Sequence, residues 1–516
     1  MARLWVQAVM VGGGKRRWTW GGISAIALAA IAAGVVVVAL REARVGASGG
    51  RGASGAPVGS AAAPHVTPLV ASLPTGPGPF APSEVRVEGP TDPATIADLA
   101  DTARCIQCHA DAGHQWSASA HAHASFNNPW YRVAVDRFRA EQGPRASRFC
   151  AGCHEPWLLL TGKMDHEVVA PDDPLSHAGI TCGVCHSIRS VRPDGNGSYT
   201  LSTAPIPLPD PADPDSIAAH RARVASDALR TGALCGSCHR SFLGPDTGNP
   251  HRIVGIDDLG AWRASPHAGS DAARLDTVGD AAASAGRATC QTCHMPPRPA
   301  PRGDMAASDG DLASHRWAGS HTSLAAALDD PEQMAAERAS LVGAARVDIA
   351  AARVDGDLFL PADGAPIAPG ASVELDVVVR NERTGHRFPG GTRDLGDTWI
   401  EVRVRDIAGR PVAQSGVAYR RAATFDPSAF RFRSVLADAA GVPEERHFVE
   451  RFNAPLYDRT LAARDAIVVR YALDLPRRRA VRRGLRVEAR LLHRRHTPAL
   501  HRAACAATRT ARGAAF

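Results

Sequence analysis

Cys105-Ile106-Gln107-Cys108-His109 is the first of five copies of Cys-x-x-Cys-His. The others are Cys150-Ala151-Gly152-Cys153-His154, Cys182-Gly183-Val184-Cys185-His186, Cys235-Gly236-Ser237-Cys238-His239 and Cys290-Gln291-Thr292-Cys293-His294. Ten of the eleven cysteines fall in these copies, which a chance pattern would not give. This spacing is the attachment site of a c-type haem: the thiols bond the porphyrin vinyls, and the histidine gives iron an axial bond. Structural zinc is the competing use of paired cysteines. It takes four ligands, so its knuckles come in twos, and five copies leave one over. Zinc also gives no reason for a histidine after every second cysteine. A disulfide within each pair closes too small a loop to staple much. The expectation is five covalent haem c groups, with His109, His154, His186, His239 and His294 as proximal ligands.

Motif starts lie 45, 32, 53 and 55 residues apart, so little protein surrounds each macrocycle. Long strands are not visible in residues 95–325, and proline and glycine are frequent. Short helices and loops around a haem-filled core are expected, with macrocycles close enough to pass electrons. Each iron that does no chemistry needs a sixth ligand. The region holds only Met164, Met295 and Met305, against fifteen histidines of which five are proximal. His/His ligation, and hence a low-potential chain, follows, because the rise in potential that methionine gives is missing. Trp116-Ser117-Ala118-Ser119-Ala120-His121 and Trp262-Arg263-Ala264-Ser265-Pro266-His267 share Trp-x-x-Ser-x-His. Trp317-Ala318-Gly319-Ser320-His321 is one residue shorter. An aromatic on a porphyrin face followed by a ligand explains the repeat and marks His121 and His267 as distal ligands. His177, five residues before Cys182, and His315 and His321 are further distal candidates. His114, His123, His166, His220 and His251 have no such context.

These elements, with Ser125-Phe126-Asn127-Asn128-Pro129-Trp130-Tyr131, Phe149 to Pro156, Gly179 to Ile188 and Cys293-His294-Met295-Pro296, resemble bacterial multihaem c-type cytochromes. The relatives are those grouped with the tetrahaem cytochrome that serves hydroxylamine oxidoreductase. The resemblance covers most of residues 98–325. It implies a distal role for the histidine of Trp-x-x-Ser-x-His, and His321 departs from that spacing. Such cytochromes also often carry Gly-His-x-Phe-Pro where this chain has Gly385-His386-Arg387-Phe388-Pro389. His386 is therefore either a haem ligand or docking residue, or a surface histidine on a tight turn. The family includes electron carriers, reductases and filament-forming cytochromes.

Outside the motif region the chain changes character. Gly21 to Leu40 is uncharged and apolar, long enough to cross a bilayer, and follows Lys15, Arg16 and Arg17. Residues 1–44 are read as a membrane anchor rather than a cleaved signal, whose apolar core is usually shorter. Residues 45–94, rich in Gly, Ala, Ser and Pro, are read as a flexible linker. Asp330-Pro331-Glu332 is a helix start, placing a linking helix in residues 326–345. Beyond it the period becomes two: Val373, Leu375, Val377 and Val379, then Ile400, Val402 and Val404, then Leu485, Val487, Ala489 and Leu491. That alternation predicts half-buried antiparallel strands and a β-sandwich over residues 346–497. A tail, residues 498–516, carries Cys505.

The fold expected is multidomain α+β. The formal charge of +7 omits the cofactors. Five ferric haems, each with two propionates, shift it by about −5. No nucleic-acid partner is expected. The function expected is single-electron transfer by a membrane-anchored protein facing the periplasm. Its redox partners would be a quinol-oxidising complex and a periplasmic or outer-membrane acceptor. The rivals are a reductase or oxidase of nitrogen compounds with one open haem, and a haem-filament subunit with oligomeric contacts.

Overall fold

The computed structural model describes residues 2–8, 78–268, 288–417, 428–477 and 483–516. The Gly21–Leu40 span and most of the 45–94 linker lie outside them. Among the described residues no helix is long and apolar enough to cross a membrane.

The chain mixes helices with several sheets. Among the described residues, ten strands build the two larger sheets of the C-terminal half and are numbered here: β1 (Ala2–Ala8), β2 (Ala345–Val354), β3 (Asp357–Phe359), β4 (Ala365–Ile367), β5 (Ser372–Asn381), β6 (Asp397–Asp406), β7 (Pro411–Ser415), β8 (Arg431–Phe432), β9 (Ala466–Asp474) and β10 (Leu485–Arg494). One sheet runs β4-β1-β10-β6-β7, with β8 on β6; the other runs β3-β2-β5-β9. β6 and β10 pair antiparallel from Asp397↔Arg494 to Asp406↔Leu485. β5 and β9 pair from Ser372↔Asp474 to Arg380↔Ala466.

Alternate residues of each strand point inward, so period two becomes a shared core. Val373, Leu375, Val377 and Val379 of one sheet and Ile400, Val402, Val404, Val487 and Ala489 of the other belong to one buried cluster. These are the residues whose alternation the sequence displays. β1 pairs parallel with β10 in register Leu4↔Leu485 to Ala8↔Ala489. That differs from the reading of residues 1–44 as an anchor: a span at Gly21–Leu40 would put Ala2–Ala8 across the bilayer from β10.

The motif half consists of short helices, with two- and three-stranded sheets between them. All five Cys-x-x-Cys-His copies start on or end such helices, for example Arg148–His154, Cys182–Ser187 and Cys290–His294. Its apolar cluster gathers Phe126, Val135, Trp157 to Leu160, Met164, Tyr199 and Leu201. Met164 is fully buried among these apolar side chains. Val85 is also fully buried in this cluster and Phe80 packs on it, so residues 78–94 belong to the motif half and the linker ends earlier than expected.

Three helices join the halves: α1 (Pro129–Gln142), α2 (Pro331–Leu341) and α3 (Pro498–Thr508). α2 starts as the sequence predicts, with Asp330 accepting from Gln333 N at 2.7 Å. The tail is helical and packs on α1. Arg512 Nε and Nη2 reach Asp136 at 2.9 Å, and the Phe516 ring lies 5.7 Å from Phe126. Cys505 is exposed, its Sγ 3.7 Å from His501 Nε2.

Candidate functional site: a histidine-lined cavity

All ten motif cysteines and all five motif histidines line one cavity of about 2350 Å³. A pocket for a single drug-sized ligand seldom exceeds about 1,000 Å³, so this space suits several large groups. Neighbouring motifs meet within it. Cys105 lies beside Cys182, Cys153 beside Cys238, and Cys235 beside Cys290. The first motif therefore adjoins the third, while the fourth adjoins both the second and the fifth.

The motif histidines are oriented for metal. Nδ1 of His154 lies 2.7 Å from Ala124 O, that of His186 3.0 Å from Val224 O, and that of His294 3.1 Å from Ala318 O. A carbonyl only accepts, so in each case Nδ1 donates and Nε2 keeps the lone pair a metal needs. His109 Nδ1 lies 3.0 Å from a carboxylate instead, Asp304 Oδ1. Burial pushes the His154 pKa down to about 4, which keeps the ring neutral as metal binding requires.

Three motif histidines face a second imidazole at a fixed separation. Ring centres are 6.4 Å apart for His109 and His220, 6.4 Å for His239 and His121, and 6.3 Å for His294 and His386. Two metal–nitrogen bonds of about 2 Å, plus the offset from each ligating nitrogen to its ring centre, give roughly 6 Å. The separation of each pair therefore matches that of two imidazoles sharing one metal ion. His386 Nδ1 meets Arg387 O at 2.9 Å, again leaving Nε2 free.

The other sequence candidates separate. His315 lines the cavity, with Nδ1 2.8 Å from Ala313 O. Burial takes its pKa down to about 4, and the charges of His186 and His109 add to this. His267 lines the cavity beside Gly385, and its Nε2 is buried without a hydrogen-bond partner. His321 also lines the cavity, where burial and the charge of Arg495, ahead of His496, His121 and His239, lower its pKa. His177 is not brought to the site. Its Nε2 is 2.7 Å from Pro171 O and its ring leans on Phe516 at 5.3 Å. The run after it turns at Gly179, φ +60°, where a Cβ would sit 2.5 Å from His121 O. That turn pins His121 instead, through Ile180 N donating to His121 O at 2.9 Å.

Six lining histidines stand outside the motifs and the candidates: His114, His123, His220, His447, His493 and His496. His220 lies on the helix Pro214–Val224, where Ile217, His220 and Val224 share a face at helical spacing and all line the cavity. That face was the available clue. His447 sits in a loop and has none.

The Trp repeat positions the site less directly than expected. The Trp116 and Trp262 indole N–H groups donate to Ile180 O and Ala288 O, each at 2.8 Å. Trp317 lies edge-on to His121 at 4.6 Å and to His315 at 5.1 Å. Its turn has positive φ at Trp317 (42°) and Ser320 (77°), a conformation side chains disfavour. Glu337 of α2 holds it: the buried carboxylate accepts from Gly319 N at 2.8 Å and His321 N at 2.9 Å. α2 is thus a brace for the site as well as a connection.

Five attachment motifs around one cavity define a multihaem c-type cytochrome, an electron-carrying protein with covalently bound haem c. Residues 104–187, spanning the first three motifs, match the family described as cytochrome c554 and c-prime. The fold is similar to a penta-heme cytochrome c552 from Thermochromatium tepidum, with a TM-score of 0.49 and 18% identity over 78% of this chain and 94% of that one. No curated protein matches. Neither match speaks to a hydroxylamine-oxidising partner.

Proposed function

We propose that this chain carries single electrons through five covalent haem c groups, one on each Cys-x-x-Cys-His. The bound irons supply reversible one-electron chemistry. The protein supplies the rest. His109, His154, His186, His239 and His294 would each hold one haem iron, and His220, His121 and His386 would hold it from the other side at the first, fourth and fifth motifs. His315 would serve the third. The observation that carries this reading is the set of three imidazole pairs at 6.3 to 6.4 Å, each containing a motif histidine. Two imidazoles to each iron would leave no position for substrate, which favours a carrier over a reductase.

The setting we propose is the periplasmic face of the inner membrane, with Gly21–Leu40 as anchor. Electrons would pass between a quinol-oxidising complex and a periplasmic or outer-membrane acceptor. The anchored protein forgoes the β1 pairing, because residues 2–8 then lie in the cytoplasm. Intact mass tests the cofactor reading: five added haems are expected, and fewer overturns the count. Retention in membranes washed with alkaline carbonate tests the anchor, and release into the wash removes it.

A further inference from the structure

His154 is the motif histidine whose opposite nitrogen has not yet been assigned. Tyr131 of α1 stacks on its ring at 4.1 Å and 8°, and Nδ1 is taken by Ala124 O. Nε2 remains for a metal. The segment that comes up beside this motif belongs to the β half. Phe149, next to Cys150, packs in an apolar cluster with Phe452 and Val449. The Arg137 guanidinium of α1 lies 5.4 Å from the Phe448 ring centre. Between these contacts sits His447, which lines the cavity, 6.0 Å from the Phe452 ring.

His447 is also built for the role. Its φ is +58°, a cost that persists only where the surroundings impose it. Its Nδ1 lies 2.7 Å from Oδ2 of Asp394, which is 4% exposed. A carboxylate that takes the Nδ1 proton fixes the ring and makes the other nitrogen a stronger donor to metal. His447 and His154 line the same cavity.

We propose that His447 is the axial ligand opposite His154, for the haem on Cys150 and Cys153, and that Asp394 is the residue positioning it. With His386, this makes the β half the source of two axial ligands. The iron so held has a more anionic imidazole than one whose histidines donate to carbonyls, and so a lower reduction potential. This inference rests on the cytochrome reading above. The test begins with the wild-type holoprotein: peptide mass must show haem on Cys150 and Cys153, and its absence there overturns the underlying reading. In His447→Ala, electron paramagnetic resonance should show one iron turned high-spin, and the reduced protein should bind carbon monoxide at that iron. Irons that all stay low-spin overturn the assignment. Should His447→Ala lose the haem altogether, His447→Met decides. It restores a ligand and should give a low-spin iron of raised potential, since methionine raises potential. Potentials all equal to wild type in that variant overturn the assignment. Asp394→Asn should keep the iron low-spin and shift one potential upward. An unchanged redox titration removes Asp394 from the role.

Discussion

The two halves of this chain hold themselves together by different means. In the β half, side chains of both sheets meet in one cluster: Leu375, Val377, Val379, Ile400 and Ala489 are all fully buried. The motif half has its own apolar cluster around Trp157 and Tyr199. Much of its interior, however, is the cavity of about 2350 Å³. Strands satisfy their backbone groups with one another, and alternating apolar residues close the core between them. Helices of five to eight residues, such as Thr102–Ile106, Cys182–Ser187 and Ala110–Ser117, are too short to persist by themselves. They need something to pack on, and ten motif thiols point to what that is.

The largest effect should come from withholding the cofactor. When the chain is made without haem attachment, the β half should keep slow amide exchange in β5, β6, β9 and β10. Exchange in the motif helices should become fast, because the binding energy of a buried group is folding energy for the segment around it. The helix α1 and the tail, tied by Arg512 and Asp136, should fall between. Equal protection in both halves would break the comparison and show that the motif half folds on its own apolar cluster.

A smaller effect sharpens the comparison at the junction. Glu337→Ala removes the acceptor for Gly319 N and His321 N and a partner of Gln333 Nε2. Buried donors left unpaired cost about 1–3 kcal/mol each. The turn carrying Trp317 should relax from its positive φ, moving the ring that contacts both His121 and His315. The paramagnetic resonance of the irons these two histidines serve should shift, while the chemical midpoint of the β half stays put. An unchanged spectrum with reduced stability would make Glu337 only structural.

What could be read from the sequence divides along the same line. Covalent attachment imposes a spacing along the chain, so every Cys-x-x-Cys-His was visible. Strand pleating imposes period two, so Val373 to Val379 and Leu485 to Leu491 were visible as well. The distal ligands proposed above obey neither rule, since only three-dimensional position qualifies them. His121 carried a repeat, and His386 a resemblance. His220 offered only a helical face, and His447 is a loop residue whose partner Asp394 lies 53 positions away. His177 seemed well placed beside Cys182, but the turn at Gly179 sends the chain to His121 and leaves His177 on Pro171. The boundary errors have a similar origin. Residues 78–94 and the tail have the composition of linkers, yet Val85 and Phe516 find apolar neighbours that no local pattern announces.

The smallest expected effect isolates the β half from the haems. Asp376 of β5 accepts from Arg470 Nε and Arg353 Nη1, each at 2.7 Å. The Arg470 hydrogen bond is the main cause, with Arg353 helping, of a carboxyl held below the usual 3.8. A carboxyl with a depressed folded pKa adds stability above its unfolded pKa and loses it as pH falls through the folded one. Asp376→Asn should therefore cost about 1 kcal/mol at pH 7. Wild type and variant should converge as pH drops below about 4. Denaturant titration of the β half at several pH values measures this, and the haem spectrum should not change. A constant gap at all pH values would mean that Asp376 acts through packing. A change in the haem spectrum would mean that strain in the sheets reaches His386 or His447, and that the halves are coupled more tightly than separate cores imply.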